Sequence, residues 1–115
     1  MDMITIWHNP RCSKSRQALA LLEGKTDVQV RKYLEDAPSE TEIRAALAAL
    51  SNPPAITMMR TGEKQFKELG LTRTTDDAAL IAAMAQHPIL IERPIAFAAN
   101  HAVIGRPPEN VLDLI

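Results

Sequence analysis

The spacing of apolar residues changes period along the chain, and each change marks an element. Residues 3–7, Met-Ile-Thr-Ile-Trp, form a short β-prone run that stops at the turn signal His8-Asn9-Pro10. Residues 13–23 then follow a helical period, with Ala18, Leu19 and Leu22 on one face and Gly24 as the stop. Alternation returns over 28–34, where Val28 and Val30 sit between polar neighbours, which predicts a second strand. A strand, loop, helix and strand in that order open an α/β layer.

The middle of the chain reads as helical. Ser39 and Glu42 have the spacing of a capping box, ahead of Ile43, Ala46, Leu47 and Leu50 at i, i+3, i+4 and i+7, and Asn52-Pro53-Pro54 ends that helix. Residues 63–69 predict a short helix closed by Gly70. Thr74 or Thr75 is the expected cap of a further helix carrying Leu80, Ile81 and Met84, which Pro88 terminates. Residues 95–98 and 102–104 flank Ala99-Asn100-His101 as a hairpin. Pro107-Pro108 then opens a terminal helix with Val111, Leu112 and Ile115 as its apolar positions. Two strands, a helical block and a hairpin predict a four-stranded mixed sheet with helices packed on it, in a single domain over 1–115.

Composition narrows the class. With 115 residues, 46% hydrophobic and 23% charged, the chain fits one globular domain that needs no disulfide or structural metal. One cysteine excludes an internal disulfide, which suits a reducing compartment. No apolar run approaches the roughly 20 residues that span a bilayer. Met1-Asp2-Met3-Ile4 lacks the basic and apolar stretches of a signal peptide, so a cytoplasmic protein is expected. A formal net charge of −1 argues against nucleic-acid binding. The three histidines show no paired spacing, so no metal site is expected; no bound cofactor is expected either. Met58 and Met59 read as core or pocket wall.

Cys12 is where chemistry concentrates. It lies between the first strand and the first helix, where unpaired amides and the helix dipole favour an anion. Its neighbours Arg11, Ser13, Lys14, Ser15 and Arg16 are cationic or hydroxylic, unlike the surroundings of a core cysteine, and His8 lies on the same loop.

The segment Ile4-Thr5-Ile6-Trp7-His8-Asn9-Pro10-Arg11-Cys12-Ser13-Lys14-Ser15-Arg16 resembles the active-site loop of the ArsC-type, glutaredoxin-coupled arsenate reductases, and among them the YfgD-like subgroup. The likeness continues through Tyr33-Leu34-Glu35, Leu69-Gly70-Leu71, residues 87–95 (His-Pro-Ile-Leu-Ile-Glu-Arg-Pro-Ile) and Gly105-Arg106-Pro107-Pro108-Glu109. The resemblance implies a thioredoxin-like α/β fold with a helical insertion and a cis Arg93-Pro94 bond. It implies that Cys12 is the nucleophile, that His8 and Ser15 support its thiolate, and that Arg60, Arg93 and Arg106 bind the oxyanion. Several guanidinium forks suit a tetrahedral anion, since each can bond two oxygens and none deprotonates. Arsenate or a similar oxyanion is the implied substrate, with glutathione as co-substrate and glutaredoxin as partner; a monomer is expected. Arg11 and the Ser13-Lys14 pair depart from the established reductases. Two other readings are a glutathione-linked thiol oxidoreductase without an arsenic role and a regulator that binds RNA polymerase, as Spx-like proteins do. The three arginines favour the enzyme.

Overall fold

In a computed structural model the structure describes residues 3–115. Met1 and Asp2, the start of the stretch read against a signal peptide, lie outside the described residues. The chain divides into two compact units: residues 3–36 together with Arg93–Ile115, and Ala37–Glu92 between them.

The first unit carries the sheet. β1 (Ile4–Trp7), α1 (Ser13–Glu23) and β2 (Val28–Arg31) form a parallel crossover, and β3 (Ile95–Phe97) and β4 (Ala102–Ile104) add an antiparallel hairpin. The strand order is β2-β1-β3-β4, a mixed four-stranded sheet. Side chains alternate across a strand, so Ile4, Ile6 and Ala96 share one face. They pack there against Ala18 and Leu22 of α1 and against Val111. Thr5 and Trp7 point the other way, where Trp7 meets Phe97 at 4.8 Å between ring centroids and the Arg31 guanidinium lies 5.8 Å from the Trp7 ring. The β1–β2 register pairs Trp7 with Arg31, and the bond from His8 N–H to the Arg31 carbonyl (2.8 Å) extends it to the first residue of the loop.

Three expectations shift in this unit. The second strand ends at Arg31 instead of 34, because Glu35 and Asp36 both donate to the Lys32 carbonyl and Tyr33 is buried in the resulting turn. The terminal helix Pro108–Leu114 is 3₁₀, so its inward positions recur every three residues: Pro108 and Val111 are buried, Leu114 packs on the core, and Ile115 is exposed. The first hairpin strand ends at Phe97, one residue earlier than expected, and the turn closes with Ala98 N–H donating to the His101 carbonyl at 2.8 Å. Gly24 is the C-cap of α1, as its place after the apolar run predicts, with ordinary right-handed dihedrals.

The second unit is helical: α2 (Glu40–Ala49), α3 (Lys64–Glu68), α4 (Asp77–Gln86) and two 3₁₀ turns, Ala55–Met58 and Pro88–Leu90. The Ser39/Glu42 capping box forms in both directions, at 3.0 and 3.1 Å. Ile43, Ala46 and Leu47 are buried, as are Leu80, Ile81 and Met84, and α2 packs on α4. The cap of α4 is Asp76, whose carboxylate accepts from the Ala79 amide at 2.8 Å. Thr74 and Thr75 are instead engaged with Thr72, whose amide donates to the Thr75 hydroxyl. Gly70 closes α3 at φ +72°, a conformation in which side-chained residues are strained. Met58 and Met59 are buried. Among the described residues no helix is long and apolar enough to cross a membrane, and no group of three His, Cys, Asp or Glu could hold a metal ion.

Gly105 fixes how β4 leaves the sheet. A Cβ there would lie 2.8 Å from Pro94 Cγ and 3.1 Å from Val111 Cγ1, both parts of stiff side chains, while its N–H donates to the Pro94 carbonyl at 2.9 Å. Gly105→Ala is therefore expected to destabilise the protein by about 1–3 kcal/mol through overpacking. Urea unfolding of both proteins measures it, and an unchanged midpoint would show that the Pro94 contact yields freely.

Candidate active site

Three turns deliver the candidate residues of the first unit. The first is the loop 8–12. The Asn9 carbonyl accepts from the Cys12 amide at 3.0 Å, its side-chain oxygen accepts from the Arg11 amide at 3.0 Å, and its own N–H donates to the Ser15 hydroxyl at 3.0 Å. Asn9 thus ties the loop at both ends. Sequence reasoning saw it only as a turn residue. These bonds leave Cys12 extended at the N-cap of α1 (φ −95°, ψ 122°), half-buried, with its carbonyl accepting from Arg16 at 3.0 Å.

The second and third turns carry Arg93 and Arg106. Both precede prolines, and both X-Pro bonds are cis, Arg93-Pro94 and Arg106-Pro107. The Arg106 guanidinium donates to the Arg93 carbonyl at 3.3 Å, so the two arginine-bearing turns are adjacent.

Electrostatics at Cys12 combine opposing effects. Burial pushes the thiol up. The Ser15 amide, the Arg93 charge, the Lys14 amide and hydrogen bonding from the Arg93 side chain outweigh it, and the thiol lies below its ordinary value. The neutral side chain makes no capping hydrogen bond; the first-turn amides favour its anion. The influential cation is Arg93, from the far end of the chain. Arg11, Lys14 and Arg16, close in sequence, do not supply it through their side chains. Arg16 instead donates to the Pro10 carbonyl at 2.9 Å.

His8 and Ser15 form a buried pair, His8 Nδ1 to Ser15 Oγ at 2.7 Å. Burial, then the Lys32 charge, lower the His8 ring below its usual value; Arg16 adds to this and Glu23 opposes it. The shift favours the neutral ring. The Ser15 hydroxyl is spent on His8 and Asn9, and it is the backbone amide of Ser15 that acts on the thiol. Ser15→Ala should still loosen the loop, raising the Cys12 midpoint in an iodoacetamide pH titration and slowing any thiolate reaction. An unchanged midpoint would assign the hydroxyl a packing role only.

Arg60 belongs to the second unit. Its N–H donates to the Leu90 carbonyl at 2.8 Å beside the Met59–Ile91 bridge, and its guanidinium pairs with Glu63 at 3.1 Å. His87 caps the end of α4 and His101 lies in the hairpin turn.

The model of the ArsC family matches residues 7–114. An arsenate reductase of Neisseria meningitidis serogroup B is 46% identical over 113 residues, covering 96% of this chain and 97% of the relative. The Escherichia coli protein YfgD is 44% identical over 114 residues, covering 97% and 96%. The solved structure of an arsenate reductase from Vibrio cholerae superposes with a TM-score of 0.94 at 47% identity, covering 99% of this chain and 98% of that one. The fold is thioredoxin-like, as in these structural neighbours.

Proposed function

This chain belongs to the ArsC family, and from that we propose that it reduces arsenate to arsenite through Cys12, with glutathione and glutaredoxin supplying the electrons. One observation carries the reading most: the chain's single cysteine sits at a helix N-cap under the influence of Arg93, which lowers its thiol. A thiolate beside a guanidinium suits attack on an anionic electrophile, because the same cation holds the nucleophile ionised and the substrate oxygens in reach.

In this mechanism Cys12 Sγ attacks the pentavalent arsenic, an S–As bond forms, and an As–O bond breaks with the oxygen leaving as water after taking up a proton. Arg93 and Arg106 neutralise the remaining oxygens, the role of preorganised donors at developing charge. Glutathione then attacks the adduct at arsenic, displacing a second oxygen as water. The glutaredoxin thiol attacks the glutathionyl sulfur. That S–As bond breaks with its electron pair left on arsenic, As(V) becomes As(III), and glutaredoxin departs as a mixed disulfide with glutathione. Hydrolysis of the remaining S–As bond releases arsenite and restores Cys12. Atoms and electrons balance with no second protein cysteine.

His8 and Ser15 are positioning residues here, holding the loop that presents Cys12. The test is a coupled NADPH assay with arsenate, glutathione and glutaredoxin, run beside a low-molecular-weight disulfide in place of arsenate. Arsenate-dependent NADPH oxidation supports the reading. Activity on the disulfide alone would replace it with a glutathione-linked thiol oxidoreductase.

A further inference from the structure

We propose that a second pocket on the Cys12 loop, flanked by Arg11 and Lys32, binds the carboxylates of the thiol that attacks the Cys12 adduct, and so selects an amino-acid or peptide thiol over a neutral one. The inference rests on the mechanism above for the thiol's role, but not for the pocket's chemistry. With one cysteine in the chain, the second sulfur must arrive from solution.

The pocket has a volume of about 410 Å³, within the range of small-ligand sites. Loop residues 8–11 form one wall, and Lys32, Leu34 and Glu35 form the other. Backbone bonds fix both walls. His8 N–H donates to the Arg31 carbonyl at 2.8 Å, the Arg11 amide donates to Asn9 Oδ1 at 3.0 Å, and the Glu35 amide donates to the Lys32 carbonyl at 3.0 Å. Lys32 is close enough for its charge to depress the His8 ring.

The two cations are uncommitted. Among the described residues neither the Arg11 nor the Lys32 side chain makes a hydrogen bond or ion pair, whereas Arg16 is held by Pro10 and Arg60 by Glu63. Two free cations at the mouth of a pocket fit carboxylates, and Glu35 on the same wall suits a free amino group. Cys12 itself does not line the pocket, although it directly follows Arg11. That offset suits a peptide thiol, whose carboxylates lie several bonds from its sulfur. The thiol would dock by its charged end and reach the adduct with its sulfur, forming an S–As bond as an oxygen leaves as water.

The experiment omits arsenate. Reduced enzyme is mixed with oxidised glutathione, which carries carboxylates, or with neutral hydroxyethyl disulfide, and Cys12 mixed-disulfide formation is timed by mass spectrometry. In each case Cys12 attacks one sulfur, the S–S bond breaks, and a thiolate leaves. The double variant Arg11→Ser, Lys32→Gln is expected to lower the ratio of the two rates about five- to tenfold, the scale of two partly exposed charge contacts. The hydroxyethyl disulfide rate should hold, and Lys25→Gln, which removes a charge outside the pocket, should leave the ratio unchanged. A ratio unaltered in the double variant, or lowered equally by Lys25→Gln, overturns the proposal. Arsenate reduction can fail in the coupled assay while this preference stands, and the preference can be absent from an enzyme that reduces arsenate.

Discussion

Cys12→Ser is expected to abolish arsenate reduction and the glutathione adduct together. The expected loss in kcat is on the order of 10⁴-fold or more, the scale reached when a covalent nucleophile is removed. The serine hydroxyl occupies the same N-cap under the same amides, but it is far less acidic than a thiol and those groups do not ionise it at neutral pH. After treatment with oxidised glutathione the native protein gains about 305 Da, the mass of one glutathionyl group on a thiol, and the variant gains nothing. Because Cys12 is half-buried and its thiol makes no capping hydrogen bond, the unfolding midpoint should barely move. An intact mass shift in Cys12→Ser would place the reactive group elsewhere.

Arg93 carries the second large effect, and two variants separate its two roles. Arg93→Ala removes the charge that acts on the thiol, so the Cys12 midpoint in an alkylation titration moves to higher pH. In the proposed mechanism the same change also removes a donor to the substrate oxygens, and kcat/KM for arsenate is expected to fall about 10²- to 10³-fold, as when an oxyanion donor is lost. Arg93→Lys restores the charge without the planar fork. Its thiol midpoint should lie nearer to the native one than that of Arg93→Ala, while kcat/KM still falls at least about tenfold, because a point charge cannot make a bidentate contact. Native activity in Arg93→Lys would reduce Arg93 to a source of charge. Equal thiol midpoints in all three proteins would separate it from Cys12 altogether.

Much of the fold was legible because local chemistry and packing agree. The apolar period of α1, the Ser39/Glu42 box and the two runs of the hairpin each name their own element, and the structure places those elements at nearly the same residues. Where local signals compete, packing decides. Lys32 to Leu34 have strand composition, yet burying Tyr33 turns the chain away from the sheet. Thr74 and Thr75 have cap chemistry, but Asp76 is one residue nearer the helix and its carboxylate is the stronger acceptor for the helix amides. The 3₁₀ geometry of Pro108–Leu114 changes the period from 3.6 to 3, which moves Ile115 outward.

The site was legible in its residue types and not in its wiring. A cysteine before a helix, among hydroxyls and cations, stands out as a candidate nucleophile without any fold. Which cation reaches the thiol depends on where the loop before β3 folds back, and proximity in sequence pointed to Arg11, Lys14 and Arg16 instead of Arg93. The direction of the Ser15 hydroxyl, toward His8 and Asn9, depends on the loop's backbone bonds, which no spacing rule encodes.

The most direct measurement of the central claim is arsenite produced per enzyme chain, read by arsenic speciation at fixed times. Reduction of arsenate takes two electrons, and in the proposed scheme that pair comes from joining two sulfurs, of which the chain holds one. Reduced enzyme mixed with arsenate and no other thiol should therefore release no arsenite, not even a first equivalent. Glutathione with glutaredoxin should then give many equivalents per chain, and thioredoxin alone should give few. A one-equivalent burst without added thiol, or sustained turnover on thioredoxin alone, would contradict a single-cysteine enzyme that draws its second sulfur from glutathione.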